Sequence, residues 1–259
     1  MDRRTFVRVG LSSLLAYNCS YARALATTTI QGCRMAAAGG TLGVTLREPP
    51  SDLHRLLVEE KELIKRFGVQ PTVSYYDDDV EQPNALATPT VIFPDGPDGT
   101  VLLGINLFTQ EIERVKSNLP ASFSWTYAIR VIKAHELGHI MQYRAGLSPD
   151  GPWQMEPHAD FLAGWALAGD PAPTHADSKT RYGTPDLSSY EPLRALKDRQ
   201  VYVEAAVKAL FERGDYLFND HSHHGEPDFR AAMVRAGYES GKLDVKEAFD
   251  RGKMFAGLN

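Results

Sequence analysis

The chain has 259 residues, of which 43% are hydrophobic and 24% are charged, so it is long and apolar enough to bury a core. This composition argues against intrinsic disorder, and the sequence has no run of about 18 apolar residues of the kind that spans a membrane. The formal net charge is −5, without basic runs or aromatic residues interleaved with basic ones, which argues against nucleic acid as a partner.

Residues 1–26 have a basic start, an apolar middle and small residues at Ala24 and Ala26, which is typical of an export signal cleaved after Ala26. Within them, "RRTFV" resembles the bacterial twin-arginine signal. The pattern predicts a periplasmic or secreted protein with no stable membrane span after cleavage. The alternative is an uncleaved N-terminal helix or anchor. Ala16 stands where a lipoprotein signal needs an aliphatic residue before Cys19, which argues against lipid anchoring.

Cleavage would change both charge and cysteine content. Residues 1–26 hold four arginines and one aspartate, so their removal changes the formal net charge from −5 to −8. Cys33 would be the only cysteine left, and a single cysteine forms no internal disulfide. Stability must then come from the apolar core, helped by a metal if one is bound.

Residues 27–50 read as a flexible leader, and residues 51–259 as one domain. A helix is predicted from Ser51–Asp52 to Gly68, because leucines recur at helical spacing. Strands are predicted over 69–76 and, as a pair joined by a Pro/Asp/Gly turn, over 88–108. A small sheet therefore precedes the remaining elements.

The second half of the chain is predicted to be mainly helical. A helix with apolar residues on most of its surface should run from Ser122 or Ser124 to about Ala145, which suggests a buried central helix. The remaining predicted segments are a helix over 156–168, a surface loop over 169–196, and helices over 197–213, 226–238 and 243–254. The predicted fold class is α+β.

The central helix contains "HELGH", residues 135–139. Residues four apart share one helix face, so His135 and His139 can direct two imidazoles at one metal ion, with Glu136 beside them as a base for water. Zinc suits such nitrogens, although spacing alone leaves cobalt or manganese open.

A catalytic zinc ion needs a third protein ligand, and Glu156, His158 and Asp160 are the candidates. The simplest assignment makes Glu156 the ligand and Asp160 the acceptor for the outer ring N–H of His135. His158 would then be a helix-surface or core histidine, and it stays open as the alternative ligand. Gln142 and Ala145 stand where a different zinc motif requires glycine and histidine, which excludes that motif.

"HELGH" followed by "EPHAD" resembles the gluzincin class of zinc metallopeptidases. The Glu-x-x-Ala-Asp form resembles the prenyl-protease-like and periplasmic quality-control branch, and "ADFLAGWALA" is similar to a group of neutral zinc metallopeptidases. The resemblance implies a zincin-like fold, in which a small mixed sheet packs on a central active-site helix. It also implies one Zn²⁺ ion and a protein or peptide substrate.

Two flanking segments add to the resemblance. "PNALA" is similar to the start of that branch's edge strand, which implies that Asn84, Ala85 and Leu86 bind the substrate backbone; the alternative is a turn before a strand. "HGEPDFR" resembles a segment in which a histidine and an arginine six residues on lie near the site. It implies that His224 stabilises the oxyanion, supported by Arg230.

The cluster around His224 has other readings. With His221 and His223 it could form a solvated loop or a secondary metal site.

The function expected from these motifs is peptide hydrolysis, with Glu136 as the general base. Two alternatives stay open: a zinc amidase acting on cell-wall peptides or other amides, and a non-catalytic, zinc-stabilised protein that binds misfolded or partner chains. The sequence indicates neither the natural substrate nor the oligomeric state.

Overall fold

The structure is a computed structural model that describes residues 45–47, 56–80, 83–92, 96–118, 125–148, 154–168 and 227–258. In chain order the described elements are β1 (Leu46–Arg47), α1 (Leu56–Phe67), β2 (Thr72–Tyr76), β3 (Ala85–Thr88), β4 (Thr100–Gly104), α2 (Ile105–Asn118), α3 (Trp125–Arg144), α4 (Met155–Ala168), α5 (Pro227–Glu239) and α6 (Val245–Ala256). The predicted α+β class is confirmed. The predicted export signal, the loop over 169–196, the helix over 197–213 and the histidines at 221, 223 and 224 lie outside the described residues.

The four strands form one mixed sheet in the order β1-β2-β4-β3. The central pair β2 and β4 is parallel, with Thr72 opposite Thr100, and both outer strands are antiparallel to their neighbours. Strand β1 lies within the segment predicted to be a flexible leader, where Arg47 forms an ion pair with Asp77 at 2.6 Å. Strand β3 begins at Ala85, directly after Asn84, and occupies the opposite edge.

The predicted strand over 88–93 is wrong, because the strand ends at Thr88. Pro89 follows, and proline has no N–H to donate to a ladder. The next residues are held by a side chain instead: the Thr100 hydroxyl donates to the carbonyl of Thr90 at 2.9 Å and accepts from the amide of Ile92 at 3.2 Å. The chain therefore leaves the sheet at the proline.

The predicted strand ending at residue 108 is also wrong in its last part, because α2 begins at Ile105. Asp78 accepts hydrogen bonds from the backbone amides of Asn106 and Leu107, at 2.7 and 3.0 Å, and so satisfies first-turn donors that have no partner within a helix. The same carboxylate accepts from the amide of Asn84 at 3.0 Å. Asp78 thereby fixes the start of α2 and the approach to β3 together.

Helix α3 is the buried centre predicted from its apolar surface, with every residue from Val131 to Ile140 buried. Lys133 is buried on it and donates to Glu60 at 2.7 Å and to the Tyr75 hydroxyl at 3.0 Å, which ties α3 to α1 and β2. The helix ends at Arg144, followed by Gly146 in the left-handed region at φ 85°, as the sequence predicted.

Helix α4 packs between α3 and α5. It crosses α5 at two glycines: a Cβ on Gly164 would overlap the carbonyl oxygen of Val234, and a Cβ on Gly237 would overlap that of Phe161. The two backbones therefore touch, which brings α5 over the first turns of α4. Within the described ranges, no helix combines the length and apolar character needed to cross a bilayer.

Candidate metal centre

Three side chains that can bind a metal converge between α3 and α4. The Nε2 atoms of His135 and His139, one turn apart on α3, lie 3.0 Å from each other. Glu156, in the first turn of α4, places Oε2 3.3 Å from His135 Nε2 and Oε1 3.4 Å from His139 Nε2. All three residues are buried, and together they could hold one metal ion.

These separations fit a single tetrahedral ion. Metal–ligand bonds of about 2.0–2.1 Å at tetrahedral angles place neighbouring ligand atoms about 3.3–3.4 Å apart. Each Nε2 lies at this distance from one of the two Glu156 carboxylate oxygens, Oε2 for His135 and Oε1 for His139, and the two Nε2 atoms are slightly closer to each other. Three protein ligands leave one tetrahedral position for water or substrate, which is the arrangement of catalytic zinc sites.

Asp160 orients the first histidine. Its Oδ1 lies 2.9 Å from Nδ1 of His135, so the ring directs Nε2 toward the other two ligands. Arg230 on α5 donates two hydrogen bonds to the same carboxylate, from Nε at 2.7 Å and from a terminal nitrogen at 2.9 Å. Burial favours the neutral acid, but Arg230 and His135 outweigh it and hold the pKa of Asp160 below its usual value.

The second histidine has a different partner. Nδ1 of His139 lies 2.8 Å from Oε1 of Gln142, which is three residues further along the same helix. The amide nitrogen of Gln142 contacts the carbonyl oxygen of Met155 at 2.7 Å and Nδ1 of His158 at 3.2 Å. In each of the two imidazoles, a buried polar side chain therefore holds Nδ1, while Nε2 faces the other candidate ligands.

The charges at the centre favour a cation. Burial lowers the pKa of His135, but its contacts with Asp160 and Glu156 prevail and raise it to about 10. Burial alone would raise the pKa of Glu156, yet the neighbouring histidines lower it to well below the usual value. Arg230 lies 3.6 Å from Glu156 and offsets part of the negative charge. A divalent ion bound by these three side chains would replace the proton that the raised pKa leaves on His135.

Glu136 follows the first ligand and is fully buried, and burial raises the pKa of its carboxyl. Neither of its oxygens has a hydrogen-bond partner in the part of the chain that the structure describes. A buried carboxylate without a partner is costly, and a group that binds it, such as water at a metal, would offset that cost. This requirement fits a metal at the adjacent ligands.

The structure thus brings together the three ligands predicted from the sequence, and it places Asp160 against His135 as expected. His158 is a buried core residue that contacts Gln142 and, through Nε2 at 3.1 Å, the Phe249 carbonyl oxygen. Burial lowers the pKa of His158 to about 3, so the ring is neutral.

Other residues predicted to lie at the site are not among the three candidate ligands. The described partners of Arg230 are Asp160 and Glu156, whereas its predicted partner His224 lies outside the described residues. Ala85 and Leu86 lie in the edge strand, and each is 1% exposed. Their role in substrate binding stays a prediction.

Gln142 is the site residue that the sequence analysis missed. In the sequence it marked only a departure from another zinc motif. Its position three residues after His139, on the same helix face, was the available signal.

No family model, no curated protein and no solved structure matched the chain. Any assignment of function therefore depends on the geometry of this centre.

Proposed function

We propose that the protein is a zinc-dependent endopeptidase with a zincin-like fold, in which His135, His139 and Glu156 bind the ion and Glu136 is the general base. The observation that carries the proposal is the convergence of three side chains: the two Nε2 atoms lie 3.0 Å apart, and each lies 3.3–3.4 Å from one carboxylate oxygen of Glu156. The carboxylate of Glu136, which is buried and has no hydrogen-bond partner among the described residues, supports it, because a catalytic base needs such a position next to the ion.

A zinc ion at these ligands would supply Lewis acidity, lowering the pKa of water to about 7 and polarising a carbonyl group. Glu136 accepts the proton of the attacking water and then delivers it to the leaving amine. Asp160, held by Arg230, keeps His135 aligned throughout.

The alternative functions use the same centre differently. A cell-wall amidase would use the same water chemistry on another acyl group, so only substrates separate it from a peptidase. A purely structural zinc site has no use for a base, so the buried carboxylate of Glu136 favours the catalytic reading. The export signal proposed for residues 1–26 would place the enzyme in the periplasm or outside the cell.

The test compares the full-length protein with Glu136→Gln and His139→Ala. We expect one zinc per chain and chelator-sensitive cleavage of unfolded casein for the wild type. Glu136→Gln should keep the zinc and lose at least about 100-fold in kcat, because it removes the proton acceptor. His139→Ala should lose both zinc and cleavage. Glu113→Gln, an exposed carboxylate on α2, is the matched control and should behave like the wild type.

Two results would decide against the proposal. If the wild type binds no zinc or cleaves equally with chelator, the metallopeptidase assignment is wrong. If Glu136→Gln cleaves like the wild type, Glu136 is not the base. Cleavage of cell-wall fragments but not of casein would favour the amidase.

A further inference from the structure

Gln142 is fully buried and connects the second metal ligand to two further groups. Its side chain faces His139 Nδ1 with Oε1, and the carbonyl oxygen of Met155 and Nδ1 of His158 with Nε2. These three contacts satisfy the acceptor and both donors of one amide. Glutamine is the residue type that provides this combination at this length.

The carbonyl oxygen of Met155 fixes the direction of the amide. A carbonyl oxygen only accepts, so the atom 2.7 Å from it must be the NH₂ group, and the opposite orientation would place two oxygens against each other. Oε1 then faces His139, so Nδ1 of that ring must carry the hydrogen. A neutral His139 thus presents its lone pair at Nε2, the atom that faces His135 and Glu156.

The second amide hydrogen of Gln142 extends this donor–acceptor arrangement to α6. It points to Nδ1 of His158, which must therefore accept, and the Nε2–H of His158 donates to the Phe249 carbonyl oxygen at 3.1 Å. The amide of Gln142 is thus held by two acceptors on α4, Met155 and His158, and His158 in turn contacts Phe249 of α6. It can neither rotate nor flip without losing a buried hydrogen bond.

We propose that Gln142 is a positioning residue that fixes His139 as an Nε2 metal ligand, as Asp160 does for His135. The inference rests on the metal centre of the proposed function. A polar partner behind a ligand histidine sets its ring orientation and basicity, and its loss commonly weakens metal binding by about 10–100-fold. The two histidines of the motif thus have different partners, a carboxylate and an amide.

The experiment uses the full-length protein with Gln142→Leu and Gln142→Glu. Leucine has similar size and removes the acceptor for His139. Glutamate keeps the acceptor in either protonation state but loses the paired donors to Met155 and His158. The zinc Kd is measured by competition with a chromophoric chelator, and the free energy of unfolding of the metal-free protein by urea titration. Tyr143→Phe, at the next residue of α3, removes the hydroxyl that donates to the Ala87 carbonyl oxygen at 3.4 Å but keeps the ring stacked beside His139, and it is the matched control.

We expect the zinc Kd to rise about 10–100-fold in Gln142→Leu and to stay within about threefold of wild type in Gln142→Glu and Tyr143→Phe. Both Gln142 variants should lower the stability of the metal-free protein. The proposal is overturned if Gln142→Leu binds zinc like the wild type, or if both Gln142 variants lose affinity equally, since Gln142 would then only support the fold. If Gln142→Leu fails to fold, Gln142→Glu decides: a loss above about tenfold overturns the proposal. A wild type that binds no zinc would refute the proposed function itself.

Discussion

Acid should destabilise the protein through His158, and replacing this residue with glutamine should remove the effect. His158 is fully buried, with Nε2 donating to the carbonyl oxygen of Phe249 and Nδ1 accepting from Gln142. Burial lowers its pKa to about 3, which the nearby cation of Lys253 also favours and the carboxylate of Asp250 partly opposes. The ring is therefore neutral in the folded protein and takes up its proton mainly on unfolding.

The direction and size of the effect follow from the two pKa values. The pKa of an unfolded histidine is about 6.5, so this contribution to stability is fully present above that pH and decreases as the pH falls toward 3. Between pH 7 and pH 5 the unfolded chain gains a proton that folded His158 does not. The wild type should therefore lose about 2 kcal/mol of unfolding free energy more than His158→Gln.

Urea unfolding of both metal-free proteins at constant ionic strength, at intervals between pH 7 and pH 5, measures this difference. Chelator is present throughout, so loss of metal does not contribute. Because the variant has a different stability at pH 7, the two proteins are compared by the slope of their unfolding free energy against pH. The other histidines affect this slope equally in both proteins. Parallel curves, within about 0.5 kcal/mol over the range, would show that His158 is protonated in the fold or exposed to water.

Packing, charge and metal binding around α4 lead to four further expectations. Gly164→Ala should cost about 1–3 kcal/mol in urea unfolding because its methyl group overlaps the Val234 carbonyl oxygen. Gly138→Ala should cost less, since its methyl carbon would lie 3.1 Å from the nearest atom of α4; equal costs would contradict the close crossing. Asp160→Asn should cost about 3–5 kcal/mol by leaving Arg230 buried without its carboxylate, and adding Arg230→Met should recover part of the loss. Strictly additive losses would refute that pairing. Zinc at about 100 times its Kd should raise the unfolding free energy by about 2.7 kcal/mol, reversed by chelator, and an unchanged melting temperature would argue against a metal centre.

The site was more predictable from the sequence than the sheet. The histidine pair and the residues of "EPHAD" lie at helical spacings within single helices, where local geometry determines which side chains share a face. Only the packing of α4 against α3 depends on contacts between different segments of the chain. It is encoded by an apolar surface on both helices and by Gly138, which lets the two come close.

The sheet boundaries were misjudged because distant groups set them. The run "VLLGINLF" reads as one strand, yet it becomes a helix after Gly104 because Asp78, far earlier in the chain, caps the amides of Asn106 and Leu107. Arg230 shows the same limit. Its two hydrogen bonds go to Asp160, seventy residues away in the chain, and local spacing does not predict such a contact.

The crossing of α4 and α5 has a consequence for the order of assembly during synthesis. The three ligands and Glu136 are all translated by residue 156, but Arg230 and the Phe249 carbonyl oxygen, which hold the residues behind them, come from the last part of the chain. A nascent chain therefore has the candidate ligands before it has the groups that hold Asp160 and His158 in place. An ion that binds at this centre should be held firmly only after α5 and α6 have left the ribosome and docked, so we expect metal loading to come late in synthesis.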